Sequence, residues 1–79
     1  MRSIKVKVVA YGKVRKYLDN RLEDTIEIDS DSSVRDLLRI LEKPRNEIWM
    51  VNVNGLMVDE GYKLKDEDEV RIFEPIGGG

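Results

Sequence analysis

Apolar and polar residues alternate from Ile4 to Tyr11: Ile4, Val6, Val8 and Ala10 fall on one side, Lys5 and Lys7 on the other. That period of two predicts a strand with one buried face. Gly12 interrupts it, and Val14, Tyr17 and Leu18 then fall at the spacing of a short helical turn. Asp19 and Asn20 form a turn, and Thr25 to Ile28 predicts a second strand, its two isoleucines split by Glu27. Ser33 and Asp36 resemble an acidic capping box. Behind them Val34, Leu37, Leu38 and Leu41 line one helical face. Pro44 is expected to stop this helix after about two and a half turns. Ile48 to Val53 predicts a third strand that begins around Trp49, whose expected role is packing. Asn54-Gly55 is a strong signal for a tight hairpin turn, because both residues tolerate positive φ. Leu56 to Val58 then returns as a short fourth strand. A polar stretch from Gly61 to Glu69 leads to a fifth strand, Val70 to Phe73, which Pro75 ends by withholding a ladder donor.

The order β-β-α-β-β-β gives an α+β domain in which one main helix covers one face of a mixed sheet. The folded domain is expected over residues 1–74, with residues 75–79 as a glycine-rich tail. At 79 residues the chain forms one domain. A domain this small buries only about 60–65% of the surface its unfolded chain exposes. A sheet and one helix nearly exhaust its apolar residues, leaving little for a deep substrate cavity.

Composition narrows the chemistry further. Cysteine and histidine are both absent, which removes disulfides, thiolate metal sites, thiol nucleophiles and the side chain that titrates near neutral pH. No metal site and no bound cofactor are expected, and no catalytic residue of the chain's own. The net charge of −2 is unevenly distributed: residues 1–16 hold six bases and no acid, while residues 59–69 hold six acids and two lysines. Two solvated strips that pair with each other or with water explain this pattern, and so does charge steering toward a partner. Without a strongly basic face, nucleic acid is not an expected partner. No apolar run reaches the roughly 18–20 residues of a membrane span, so no membrane association is expected and the cytoplasm is the default compartment.

Three of the six glycines are residues 77–79. A glycine triplet adds nothing to packing and carries the largest backbone entropy. It can be a frayed end, an expression scar, or an arm threaded into a narrow slot. From Pro75 to Gly79 an extended arm spans roughly 16–18 Å. That reach is enough to deliver a carboxylate deep into another protein's active site while the folded body stays outside.

The chain resembles the sulfur-carrier group of the ubiquitin-like superfamily, which has the β-grasp fold. The resemblance covers the whole chain and is most specific in Val53-Asn54-Gly55, Leu64-Lys65-Asp66-Glu67-Asp68-Glu69-Val70, Ile72-Phe73, Pro75 and Gly78-Gly79. These are similar, at matching spacing, to the small subunit of molybdopterin synthase. The thiamin-pathway sulfur carrier and the small archaeal modifier proteins are relatives of it. Tyr11 to Leu18 resembles the short helix of the molybdopterin branch. Glu67 departs from the family, which commonly has glycine there, and Gly77 extends the usual glycine pair.

The resemblance implies a carrier whose Gly79 carboxylate is adenylated by an ATP-using, ubiquitin-activating-like enzyme and converted to a thiocarboxylate that donates sulfur. ATP is then used by the activating partner, and Gly77, Gly78 and Pro75 thread the tail. A large molybdopterin-synthase-like subunit is a further implied partner. Alternation points Val70 and Ile72 toward the helix and places Arg71 and Phe73 on the opposite side. Met57, in the short fourth strand, resembles a position that is also apolar and outward in the molybdopterin branch. Phe73, Met57 and Arg71 are candidates for a docking patch, although Phe73 and Met57 can equally cover the edge of the core. Two other functions stay open: a protein modifier joined through Gly79 to lysines of target proteins, and a β-grasp interaction domain with an inert tail.

Overall fold

The computed structural model describes residues 2–75. Its elements are β1 (Ser3–Ala10), a 3₁₀ helix (Gly12–Leu18), β2 (Glu23–Asp29), α1 (Val34–Ile40), β3 (Met50–Val53), β4 (Leu56–Val58) and β5 (Glu69–Phe73). The five strands form one sheet in the order β2-β1-β5-β3-β4. The central pair, β1 and β5, runs parallel and every other pairing is antiparallel. This is the β-grasp arrangement expected from the sequence.

Alternation decides which face α1 covers. Val6, Val8 and Ala10 of β1, Ile28 of β2, Val51 and Val53 of β3, and Val70 and Ile72 of β5 are all buried. They pack in one cluster with Val34, Leu37, Leu38 and Leu41, the four positions of the helical stripe. Leu37 is fully buried, and truncating such a leucine to alanine costs about 2–5 kcal/mol. The 3₁₀ helix adds Val14 and Leu18 to the same core.

The capping box is present in both directions. The Ser33 backbone N–H donates to Asp36 Oδ2 (2.9 Å), and the Asp36 N–H donates to Ser33 Oγ (3.4 Å). The Ser33 backbone and hydroxyl donors hold the Asp36 carboxyl below its ordinary value of 3.8. At its other end α1 stops earlier than expected. Glu42 takes a positive φ of 62°. Its N–H donates to the Arg39 carbonyl, and the Lys43 N–H donates to the Leu38 carbonyl. Those two bonds are a Schellman motif, so a left-handed glutamate, not Pro44, ends the helix after seven residues.

β3 also starts later than expected, at Met50. Ile48 is exposed, whereas Trp49 is buried ahead of the strand. The tryptophan Nε1 donates to Glu47 Oε1 at 3.0 Å, and its ring lies 5.0 Å from that of Tyr17. This is the packing role expected of it.

The polar stretch before β5 is more ordered than its composition implies. Leu64 and Asp68 are buried, and Glu67 has φ 69°. Asp68 Oδ1 accepts from Asn54 Nδ2 and Asp68 Oδ2 from the Lys65 N–H, both at 2.8 Å. In turn Asn54 Oδ1 accepts from the Glu69 N–H (2.9 Å), and Asp66 Oδ1 accepts from the Lys5 N–H (2.8 Å). Asp68 therefore does not belong to a solvated acidic strip. It ties the β3–β4 turn to the start of β5. The basic and acidic strips do meet elsewhere, where Lys7 Nζ lies 3.7 Å from Glu69 Oε2.

Candidate functional site: the outer sheet face and the start of the tail

The face of the sheet away from α1 is built by the odd-numbered positions of β5 and their partners. In register, Arg71 lies between Val9 of β1 and Asn52 of β3, and Asn52 pairs with Met57 of β4. Phe73 pairs with Met50. Paired residues project to the same side of a sheet. The three docking candidates Arg71, Phe73 and Met57 thus share one face. Phe73 is half-buried, and Arg71 and Met57 are exposed.

β5 delivers the chain along this face. Phe73, Glu74 and Pro75 border an open groove of about 650 Å³, together with Asn52, Arg71 and the Tyr11-Gly12-Lys13 segment after β1. The Tyr11 N–H donates to the Ile72 carbonyl at 3.1 Å, and Gly12 makes the turn away with φ 60°. The groove therefore lies where the chain leaves the sheet at Pro75. Gly77, Gly78 and Gly79 lie outside the described residues.

Sequence reasoning missed Met50, Asn52 and Tyr11 as members of this surface. The signal was available: with Val51 and Val53 facing the core, Met50 and Asn52 must face outward. Tyr11 continues the odd-numbered side of β1 and is exposed.

The ion pairs of the face are ordinary surface pairs. Arg71 Nη2 lies 3.1 Å from Glu69 Oε1, and Lys7 Nζ lies 3.3 Å from Glu23 Oε2. Both pairs are about half exposed, so each contributes little to stability and is free to exchange partners. Among the described residues, no group of three or more His, Cys, Asp or Glu side chains is placed to hold a metal ion. No helix among them is long and apolar enough to cross a membrane.

A model of the ThiS family matches residues 8–79. Among solved structures, a Pyrococcus furiosus protein provisionally assigned as subunit 1 of molybdopterin converting factor is 30% identical, with a TM-score of 0.76, covering 92% of this chain and 99% of that one. Small archaeal modifier protein 1 from Methanosarcina acetivorans is 25% identical over 100% of both chains, with a TM-score of 0.71. A chain from the complex of molybdopterin-converting-factor subunits 1 and 2 of Helicobacter pylori is 21% identical, with a TM-score of 0.61, over 96% of this chain and 100% of that one. No curated protein sequence matches the chain.

Proposed function

The chain belongs to the ThiS family of ubiquitin-like sulfur carriers, and from that premise we propose that it carries sulfur on the carboxyl group of Gly79. The single observation that carries this reading is the family match over residues 8–79, which takes in Gly77-Gly78-Gly79. The outer face supports it, because β5 brings the chain to Pro75 beside a groove able to seat a partner.

In this reading the protein is a co-substrate. An α-carboxyl ordinarily titrates at about 3.3–3.7, so at neutral pH it is ionised and nucleophilic. Its oxygen attacks the α-phosphorus of ATP on an activating enzyme, and pyrophosphate leaves. A sulfide-level nucleophile then attacks the acyl carbon and displaces AMP, giving the thiocarboxylate. All catalytic groups and the nucleotide site belong to the ubiquitin-activating-like partner. Phe73, Met57 and Arg71 dock the folded body while Pro75 starts the arm at the end of the sheet and Gly77 and Gly78 let it enter a slot where a Cβ would not fit. The acceptor is a molybdopterin precursor held by a large synthase-like subunit, a reading favoured by the likeness to converting-factor subunit 1.

A second reading has its own support. The full-length likeness to a small archaeal modifier protein favours conjugation of Gly79 to target lysines, by attack of a lysine amine on the same acyl-adenylate with loss of AMP and a proton. Both readings place the chemistry at one carboxyl group. Deleting Gly78 and Gly79 together, which leaves no terminal glycine pair, is therefore expected to abolish sulfur transfer and conjugation while leaving the thermal midpoint unchanged. Activity that survives this deletion overturns both.

A further inference from the structure

The helical side of the molecule carries a second concave surface, opposite the groove just described. Arg35, Leu38, Arg39, Lys43, Arg45 and Glu60 line a groove of about 340 Å³. Arg35 and Arg39 are four residues apart on α1 and so stand one above the other. The Schellman turn brings Lys43 and Arg45 back beside them. The loop after β4 closes the other wall, held to the start of the helix by the Arg35 N–H, which donates to the Glu60 carbonyl at 2.9 Å. Leu38, buried, is the apolar residue of the lining.

Charge in this groove runs against that of the whole chain, which is −2. Four cations face one carboxylate, and that one is engaged: Arg35 Nε lies 3.3 Å from Glu60 Oε1. Among the described residues, no carboxylate lies within ion-pair distance of Arg39, Lys43 or Arg45. The nearby Asp36 carboxylate is committed to Ser33.

We propose that this groove docks an acidic, extended peptide segment of a partner protein. One helical turn separates Arg35 from Arg39, about 5.4–6 Å along the axis. Alternate residues of an extended chain repeat at about 6.6–6.8 Å on one side, so acidic side chains at every second position can reach both guanidinium groups. Arginine favours such a role because its planar fork pairs with a carboxylate through two hydrogen bonds. A long nucleic acid fits less well: the cationic surface is short, and the rest of the chain is net acidic. Since α1 covers the sheet face opposite the Phe73 groove, both surfaces can be occupied together. The site does not depend on the proposed carrier chemistry.

The test is a ¹H–¹⁵N titration of the full chain with a synthetic eight-residue peptide of alternating Glu and Ser. Inorganic phosphate and a single-stranded oligonucleotide are titrated in parallel. The expected result is saturable shifts confined to residues 35–45 and 60, including the arginine Nε–H signals, that weaken as salt is raised. The double variant Arg39→Gln with Arg45→Gln is expected to weaken peptide binding about tenfold with an unchanged thermal midpoint, while Phe73→Ala leaves it unaltered. Shifts scattered over Lys5, Lys13 and Lys16 would overturn the proposal. So would phosphate binding as strongly as the peptide, or tighter binding of the oligonucleotide at the same residues.

Discussion

Removing the Asp68 carboxylate tests whether the acidic stretch before β5 is structural. Asp68 is 5% exposed and accepts two hydrogen bonds at 2.8 Å, from Asn54 Nδ2 and the Lys65 N–H. In Asp68→Ala both donors lose their acceptor. A hydrogen bond to a charged group contributes about 1.5–3 kcal/mol, and an orphaned donor costs its desolvation besides. Asn54 and Lys65 are exposed, so water replaces part of what they lose. The net loss is expected to be about 2–3 kcal/mol. For a domain this small each kcal/mol moves the midpoint by about 4–8 °C, so the melting temperature should fall by roughly 10–20 °C. Circular dichroism melts and urea titrations read this directly. A cycle with Asn54→Ala isolates the pair, with an expected coupling of about 1 kcal/mol. A loss below about 0.5 kcal/mol, the range of an ordinary surface substitution, or a cycle that adds without coupling, would refute the reasoning.

Glu67 sits at φ 69° with its N–H donating to the Lys5 carbonyl; Glu67→Gly should stabilise by about 0.5–1 kcal/mol and Glu67→Val destabilise by at least about 1 kcal/mol, both read by urea unfolding. Asp36, whose folded carboxyl is depressed chiefly by the Ser33 backbone N–H and then by its hydroxyl, contributes stability that is present above the unfolded value of 3.8 and lost as pH falls through the folded value. Unfolding titrations from pH 5 to pH 2 should therefore show a shallower acid slope for Asp36→Asn than for the parent chain; identical slopes would exclude the cap as the cause. On the outer face, Met57→Asp combined with Arg71→Glu should leave stability within about 0.5 kcal/mol yet weaken capture by the cognate activating enzyme at least about tenfold. Capture by that enzyme unchanged in a binding assay would remove this face from the interface.

Much of the fold was legible because burial follows simple periods. The alternation of Ile4 to Ala10, the Val34–Leu37–Leu38–Leu41 stripe and the Asn54-Gly55 turn each point to one local structure, and the structure has all three. What escaped were features set by partners distant in sequence. The end of α1 depends on Glu42 adopting left-handed geometry, which no propensity of glutamate signals. Asp68 looks like one more acid in an acidic run until Asn54, 14 residues away, supplies its donor. That pairing also changes how the family signature is read. Asn54, Asp66 and Asp68 carry much of the resemblance, yet each hydrogen-bonds within the domain. The motif specifies the corner from which β5 sets out, and the chemistry is proposed for the glycines beyond it. Phe73 and Arg71 were placed by alternation and Met57 by resemblance; alternation turns Met50 and Tyr11 outward as well, and strand register sets Met50 beside Phe73. The basic groove on α1 was not legible, since it needs the turn at Glu42 to bring Lys43 and Arg45 beside the helix.

The most direct test of the carrier reading is the intact mass of the full chain after incubation with ATP and a sulfur donor in an extract of its native cells, compared with a chain lacking Gly78 and Gly79. The expected result is that the full chain alone gains the mass of one sulfur in place of one oxygen. Conversion instead into larger species joined through Gly79 to lysine would favour the modifier reading over the carrier. No change of mass, in an extract that does charge an established carrier, would contradict a reactive carboxyl at Gly79.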